Sequence, residues 1–156
     1  MKKVAFYTLG CKVNQYETEA MLEMFEKNGY ENVGSEDYAD VYVINTCTVT
    51  HMSDRKSRQY IRRVKKKNPN SIIAVVGSQV SPEEILDIED VNLVMGTNDR
   101  RTIVDKVDKI DSNSKVSTVD DIMKVRAFEE IEISQTNGKT RAFIKIQDGC
   151  DRYCSY

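Results

Sequence analysis

Short apolar runs alternate with amphipathic stretches along most of the chain. Val4 to Leu9 is apolar and β-rich, and Gly10-Cys11-Lys12-Val13-Asn14 has the composition of a turn. Asn14, with Glu17 three residues on, predicts a helix N-cap with a supporting carboxylate. Ala20, Met21, Met24 and Phe25 then share one helical face, and Asn28-Gly29 marks its end. Val41 to Asn45 is a second apolar run, followed by the turn Thr46-Cys47-Thr48. A second helix is predicted from about Ser53 to Lys67, with Tyr60, Ile61 and Val64 inward and Asn68-Pro69 as its stop. Ile72 to Val76 predicts a third strand that runs out at Gly77-Ser78. Ser81-Pro82-Glu83-Glu84 combines an N-cap, a proline at the first helical position and a capping-box carboxylate. Leu93-Val94-Met95 is a short fourth strand, and Asp99 to Val107 a fourth helix with Ile103, Val104 and Val107 inward.

Nearly continuous apolar strands joined by helices indicate a parallel sheet covered on both faces. The pattern therefore predicts an α/β fold: a doubly wound, mostly parallel sheet of about four strands with helices on both faces, flavodoxin-like in shape, plus a C-terminal extended tail. From Asp108 to Val119 the pattern fades into polar residues, as in a linker. Val125 to Ile133 and Arg141 to Ile146 read as extended, with the turn signal Asn137-Gly138 between them. The predicted division is a layered domain over 1–110, a linker and extended segment over 111–138, and the opening of a further unit over 139–156. The tail that carries Cys150 and Cys154 is expected to be mobile, or ordered only by crystal contacts, and not a working site.

The 156 residues are enough for one domain with a real core, and 40% hydrophobic with 31% charged residues is a globular composition. No apolar run approaches membrane-spanning length, so no membrane partner is expected. The chain opens straight into a strand pattern without a signal-peptide core. A cytoplasmic protein is the expectation, and there four cysteines point to ligands, catalysts or buried fillers before disulfides. The net charge of −2 hides an uneven distribution. Arg55, Lys56, Arg58, Arg62, Arg63, Lys65, Lys66 and Lys67 crowd the second helix. Arg55, Arg58, Arg62, Lys65 and Lys66 recur at helical spacing and are candidates for nucleic-acid phosphates. The plain alternative is a solvated helix face.

The cysteines sharpen the chemistry. Cys11 follows the first strand and Cys47 the second, and in a doubly wound sheet all such turns open on one carboxyl edge, where ligands bind. Helix N-termini directed at that edge favour thiolate, the form that binds iron. A buried filler is the alternative, but fillers belong inside strands or on helix faces. At the other end, Gly149-Cys150-Asp151-Arg152-Tyr153-Cys154-Ser155-Tyr156 spaces two cysteines by three residues. A cysteine directly after Tyr156 would complete C-x3-C-x2-C, a loop that holds three irons of a [4Fe–4S] cluster and leaves the fourth open to a small molecule. His51, the single histidine, follows Cys47 and reads as a solvated loop residue.

Three segments together resemble one family. Thr8-Leu9-Gly10-Cys11-Lys12-Val13-Asn14-Gln15-Tyr16-Glu17-Thr18-Glu19, Asn45-Thr46-Cys47-Thr48-Val49-Thr50 and Ile146-Gln147-Asp148-Gly149-Cys150-Asp151-Arg152-Tyr153-Cys154-Ser155-Tyr156 are similar to radical-SAM methylthiotransferases. The similarity covers essentially the whole chain. Lys12-Val13 and Thr48-Val49-Thr50 favour the branch acting on threonylcarbamoyl-adenosine next to the tRNA anticodon. Other branches act on isopentenyl-adenosine in tRNA or on a ribosomal-protein aspartate. The resemblance implies an amino-terminal cluster domain, the start of a radical-SAM barrel, two [4Fe–4S] clusters, S-adenosylmethionine, a tRNA partner and a sulfur donor. It implies Cys11 and Cys47 as ligands of an auxiliary cluster, and Cys150 and Cys154 as ligands of the cluster that cleaves S-adenosylmethionine. The product would carry a methylthio group on carbon 2 of the adenine, and the fragment itself is expected not to turn over. The chain departs from the family in Gly77-Ser78-Gln79-Val80-Ser81-Pro82, where a third auxiliary cysteine is expected and serine stands. Two other readings stay open: a non-catalytic module that docks RNA or a partner through the basic helix, and a flavin-binding electron carrier, which the side chains after the first strand disfavour.

Overall fold

A computed structural model of the chain describes residues 1–46, 51–77, 90–96, 98–118, 131, 133 and 144–147, for residues 51–54 the backbone alone. Its elements are β1 (Lys3–Thr8), α1 (Lys12–Lys27), β2 (Glu31–Val33), β3 (Val41–Thr46), α2 (His51–Lys67), β4 (Ile72–Gly77), β5 (Leu93–Met95), α3 (Ile103–Asp108) and β6 (Val116–Thr118). A single 3-10 turn, Arg100–Thr102, leads into α3. The six strands form one parallel sheet in the order β2-β1-β3-β4-β5-β6. The α/β class and the parallel doubly wound sheet are as the sequence predicts. The sheet has six strands, however, and not about four.

Alternation along each strand divides the core in two. Val4, Val41, Val43, Ala74, Val76, Leu93 and Met95 face Met21 and Phe25 of α1 and Ile103, Val104 and Val107 of α3. Ala5, Tyr42, Ile44, Ile73, Val75 and Val94 face Tyr60, Ile61 and Val64 of α2. Successive strand side chains point to opposite faces, so a strand buried on both sides must be apolar at every position. Each large side chain buried in this way contributes about 1.5–3 kcal/mol of transfer free energy. The predicted inward residues of all three described helices are where the periodicity places them. Met24 is the exception, half-buried at the margin of the core. The helix predicted from Ser81 lies outside the described residues.

The two unforeseen strands are at the sheet's edges, and both are polar. β2 (Glu-Asn-Val) pairs with β1, and β6 (Val-Ser-Thr) pairs with β5. β6 lies inside the stretch that composition marks as a linker. Asn92, buried just before β5, accounts for its order: Oδ1 accepts the Ile73 N–H at 2.9 Å, and Nδ2 donates to the carbonyls of Ser112 and Ser114 at 2.7 and 3.1 Å. One amide thus ties β4 to the approach to β6.

Candidate metal centre

The strand order reverses between β1 and β3. The chain goes from β1 outward to β2, then returns to β1's other side to form β3. In such sheets the crevice beyond the carboxyl ends of the two central strands is where ligands bind. The ends are in register: Thr8 sits opposite Asn45, and Leu9 N–H donates to the Asn45 carbonyl at 2.8 Å. Gly10, at φ 138°, then turns the chain in a conformation that side chains with a Cβ rarely adopt. Three residues after β1 ends, α1 begins.

Cys11 is the N-cap of α1, and it is exposed at this crevice. Asn14 was expected to cap the helix. It stands instead at the third helical position, and its side-chain oxygen accepts the Cys11 N–H at 3.2 Å, with the Cys11 sulfur 3.4 Å from the same atom. The cause lies in Gly10, which lets the helix start two residues after it with Cys11 as the N-cap. Asn14 is itself buried and held by Asn45 across the switch point. Asn14 Nδ2 donates to Asn45 Oδ1 at 3.4 Å, and Asn45 Nδ2 donates to the Asn14 carbonyl at 2.8 Å and to Thr18 Oγ1 at 3.1 Å. Thr18 Oγ1 also meets Thr8 Oγ1 at 2.8 Å. Each such bond contributes about 0.5–1.5 kcal/mol net, while a buried amide left unpaired costs about 1–3 kcal/mol. The turn carrying Cys11 is therefore pinned to the end of β3 by groups that have no solvent alternative.

Cys47 is the residue after β3, and Ser78 the residue after β4, whose final Gly77 is opposite Thr46. Both strands therefore deliver the chain to the edge where Cys11 sits. Cys47, Ser78, Cys150 and Cys154 lie outside the described residues, as does the side chain of His51, the first residue of α2. Among the described residues no three His, Cys, Asp or Glu side chains cluster as a metal cage. What is described fits a sulfur-ligated group: an exposed soft donor, at the switch point, on a rigid and internally satisfied turn. A serine hydroxyl, which position 78 offers in sequence, is a poorer iron ligand than a cysteine thiolate.

The basic helix sorts its candidates by face. Ser57, Tyr60, Ile61, Val64 and Asn68 form the buried stripe, while Arg55, Arg62 and Lys66 are exposed on the opposite one. Arg58 is half-buried. Lys65 is half-buried as well and donates to the Ser71 carbonyl at 2.8 Å, and its pKa is lowered by that burial. Arg63 covers the Tyr60 ring and pairs with Glu36 at 2.5 Å, while Lys67 reaches the Glu36 carbonyl. Three of the five candidates thus remain available to a phosphate backbone.

Sequence reasoning missed the charged group behind α1. Glu17 is buried, bonded at 3.0 Å to Arg100 and at 3.2 Å to Lys145. It does not serve the helix cap, because α1 starts too early for it to reach. No motif marks this trio, since its members lie far apart in the chain.

The profile of a family described as uncharacterized protein family UPF0004 matches residues 3–96. A threonylcarbamoyladenosine tRNA methylthiotransferase of Bacillus subtilis is 47% identical over the whole chain, which covers 35% of that protein. One with the same description from Aquifex aeolicus is 38% identical over 99% of the chain and 38% of its own length. A ribosomal protein uS12 methylthiotransferase of Synechococcus is 29% identical over 98% of the chain and 33% of its own length. The chain spans about a third of the length of these relatives. With the profile covering well over half of its residues, the chain belongs to the uncharacterized protein family UPF0004, and it is homologous from end to end with methylthiotransferases.

Proposed function

We propose that the chain is part of a cytoplasmic tRNA methylthiotransferase that modifies threonylcarbamoyl-adenosine beside the anticodon. The observation that carries the reading is the placement of Cys11, an exposed thiol on a clamped turn at the β1/β3 switch point, with Cys47 the next residue after β3. The names of the relatives support the substrate. Cys11 and Cys47 would hold an auxiliary [4Fe–4S] cluster, and Cys150 and Cys154 a second one. With S-adenosylmethionine bound, the clusters would supply radical chemistry and take part in sulfur delivery, the product carrying a methylthio group on carbon 2 of the adenine. Asn14 and Asn45 fix the first thiolate's position, so that a cluster meets a preformed turn. Arg55, Arg62 and Lys66 form a stripe for tRNA phosphates. Turnover is assigned to the longer protein.

The test is mass spectrometry of tRNA nucleosides from cells whose own methylthiotransferase has been deleted and which express the longer protein. The 2-methylthio derivative of threonylcarbamoyl-adenosine should appear. Methylthio groups on isopentenyl-adenosine instead would reassign the substrate, and no methylthio nucleoside at all would refute the reading.

A further inference from the structure

Glu17 is 3% exposed, in a helix whose other buried residues are mostly apolar. Two cations reach the same carboxylate oxygen: Arg100 from the 3-10 turn after β5, and Lys145 from 128 residues downstream. Their side chains are 1% and 7% exposed. Arg100 comes from the folded sheet layer and already neutralises Glu17. Lys145 is different. Residues 144–147 belong to neither helix nor strand, and Ile144 and Ile146 on either side of it are 84% and 87% exposed. Burial of apolar side chains therefore does not seat this segment. Lys12, Val13 and Tyr16 of α1 line a cavity of about 220 Å3 together with Ile144, Lys145, Ile146 and Gln147. What goes inward is the ammonium group. One residue before Glu17, Tyr16 Oη donates to the Ile131 carbonyl at 2.9 Å, a second tether from α1 to the chain beyond β6.

We propose that Glu17, backed by Arg100, is a positioning residue that latches the 144–147 segment onto α1 through Lys145. Buried charges of this kind exchange partners reluctantly, because releasing Lys145 also removes its share of the compensation of a desolvated carboxylate. Gln147 lines the same cavity as Lys12, so the latched segment runs beside the start of α1. The latch does not depend on reading any cysteine as a ligand.

Backbone nitrogen-15 relaxation on the metal-free chain tests it. In the wild type, order parameters at residues 144–147 should approach those of a rigid backbone, about 0.85, and in Lys145→Met they should fall below about 0.6. Val41–Thr46 should be unchanged in both, as internal evidence that the sheet is intact. Lys145→Arg, which keeps the charge, should restore the rigid values, and Glu17→Gln should loosen the segment as Lys145→Met does. Unchanged order parameters in Lys145→Met, or an arginine variant as mobile as the methionine one, would overturn the proposal. A failed cluster reconstitution would leave this result untouched.

Discussion

The side chain of Asn45 and the backbone of Asn14 are joined across the switch point by a 2.8 Å hydrogen bond, with the two side-chain amides paired at 3.4 Å. The end of β3 thereby holds the first turn of α1, whose N-cap is Cys11. A strand that must end near Cys47 and a helix that must begin at Cys11 are locked to one another by buried amides. The relationship makes the site a property of the sheet and not of a flexible loop.

Asn45→Ala should be costly for its size. It strips the Asn14 carbonyl and Thr18 of a donor inside the protein, and a loss of about 2–3 kcal/mol is expected from the unpaired groups. Urea unfolding measures it, with an unchanged m-value as the sign that the unfolded state is not involved. A loss under about half a kcal/mol would mean that the network has another way to satisfy itself.

Charge reversal along α2 separates the exposed stripe from the engaged one. Arg55→Glu, Arg62→Glu and Lys66→Glu together should weaken tRNA binding at least about tenfold and flatten its dependence on salt, because each neutralised phosphate contributes to that slope. Lys65→Met should leave tRNA affinity within about twofold, since its ammonium already donates to the Ser71 carbonyl. Filter binding over a salt series reads both. Equal losses from the two variants would contradict the assignment of faces.

The Lys2–Asp108–Tyr30 group makes stability pH-dependent at both extremes. Asp108 accepts from Lys2 Nζ at 2.8 Å and from Tyr30 Oη at 2.7 Å. The bond from Lys2, then that from Tyr30, holds its carboxyl below the usual range. That contribution is present above the ordinary carboxylate pKa and is lost on acidification below it. Burial, then the bond to Asp108, pushes Tyr30 up to about 12. In the unfolded chain a phenol ionises near pH 10. The stabilisation is therefore complete below about pH 10 and disappears as the pH climbs towards about 12. Tyr30→Phe should make the alkaline decline in urea midpoint shallower. It should not abolish it, because burial raises Tyr42 and Tyr60 as well. An alkaline limb identical to that of the wild type would refute this role for Tyr30.

The central architecture was readable because β3 and β4 are apolar at almost every position, a pattern only a sheet covered on both faces explains. The edges were not. Glu31–Val33 and Val116–Thr118 are three-residue polar strands, and their pairing is decided by neighbours far away in sequence, such as Asn92 beneath the approach to β6. At the site, the position of Cys11 just beyond β1 and outside the core was legible, because a cysteine after a strand end is out of place as a core filler. Its role as N-cap was not, because that depends on Gly10 adopting a positive φ. Arg100, the largest fully buried side chain among the described residues, gave no signal, since arginine in a charged stretch reads as surface until Glu17 is found beneath it.

Asn92→Leu tests the same point about β6. Removing an amide that serves Ile73, Ser112 and Ser114 should cost about 1–3 kcal/mol and speed hydrogen exchange at Val116, whose N–H donates to the Asn92 carbonyl at 2.8 Å. Exchange at Val41–Thr46 should be unaffected in the same sample. A Val116 amide as protected as in the wild type would show that β6 does not depend on Asn92.

The central claim is that Cys11 is an iron–sulfur ligand on a preformed turn. Its most direct test is anaerobic iron and sulfide reconstitution of a Cys150→Ser/Cys154→Ser chain, with and without Cys11→Ser, followed by Mössbauer spectroscopy and iron and sulfide analysis. Serine is a good helix N-cap, so Cys11→Ser should keep or slightly raise the thermal midpoint. The account predicts cluster-bound iron when Cys11 is present and its loss when serine replaces it, with the fold intact in both. A chain that binds no cluster although its thiols are reduced, or one that binds the same iron and sulfide without Cys11, would contradict it.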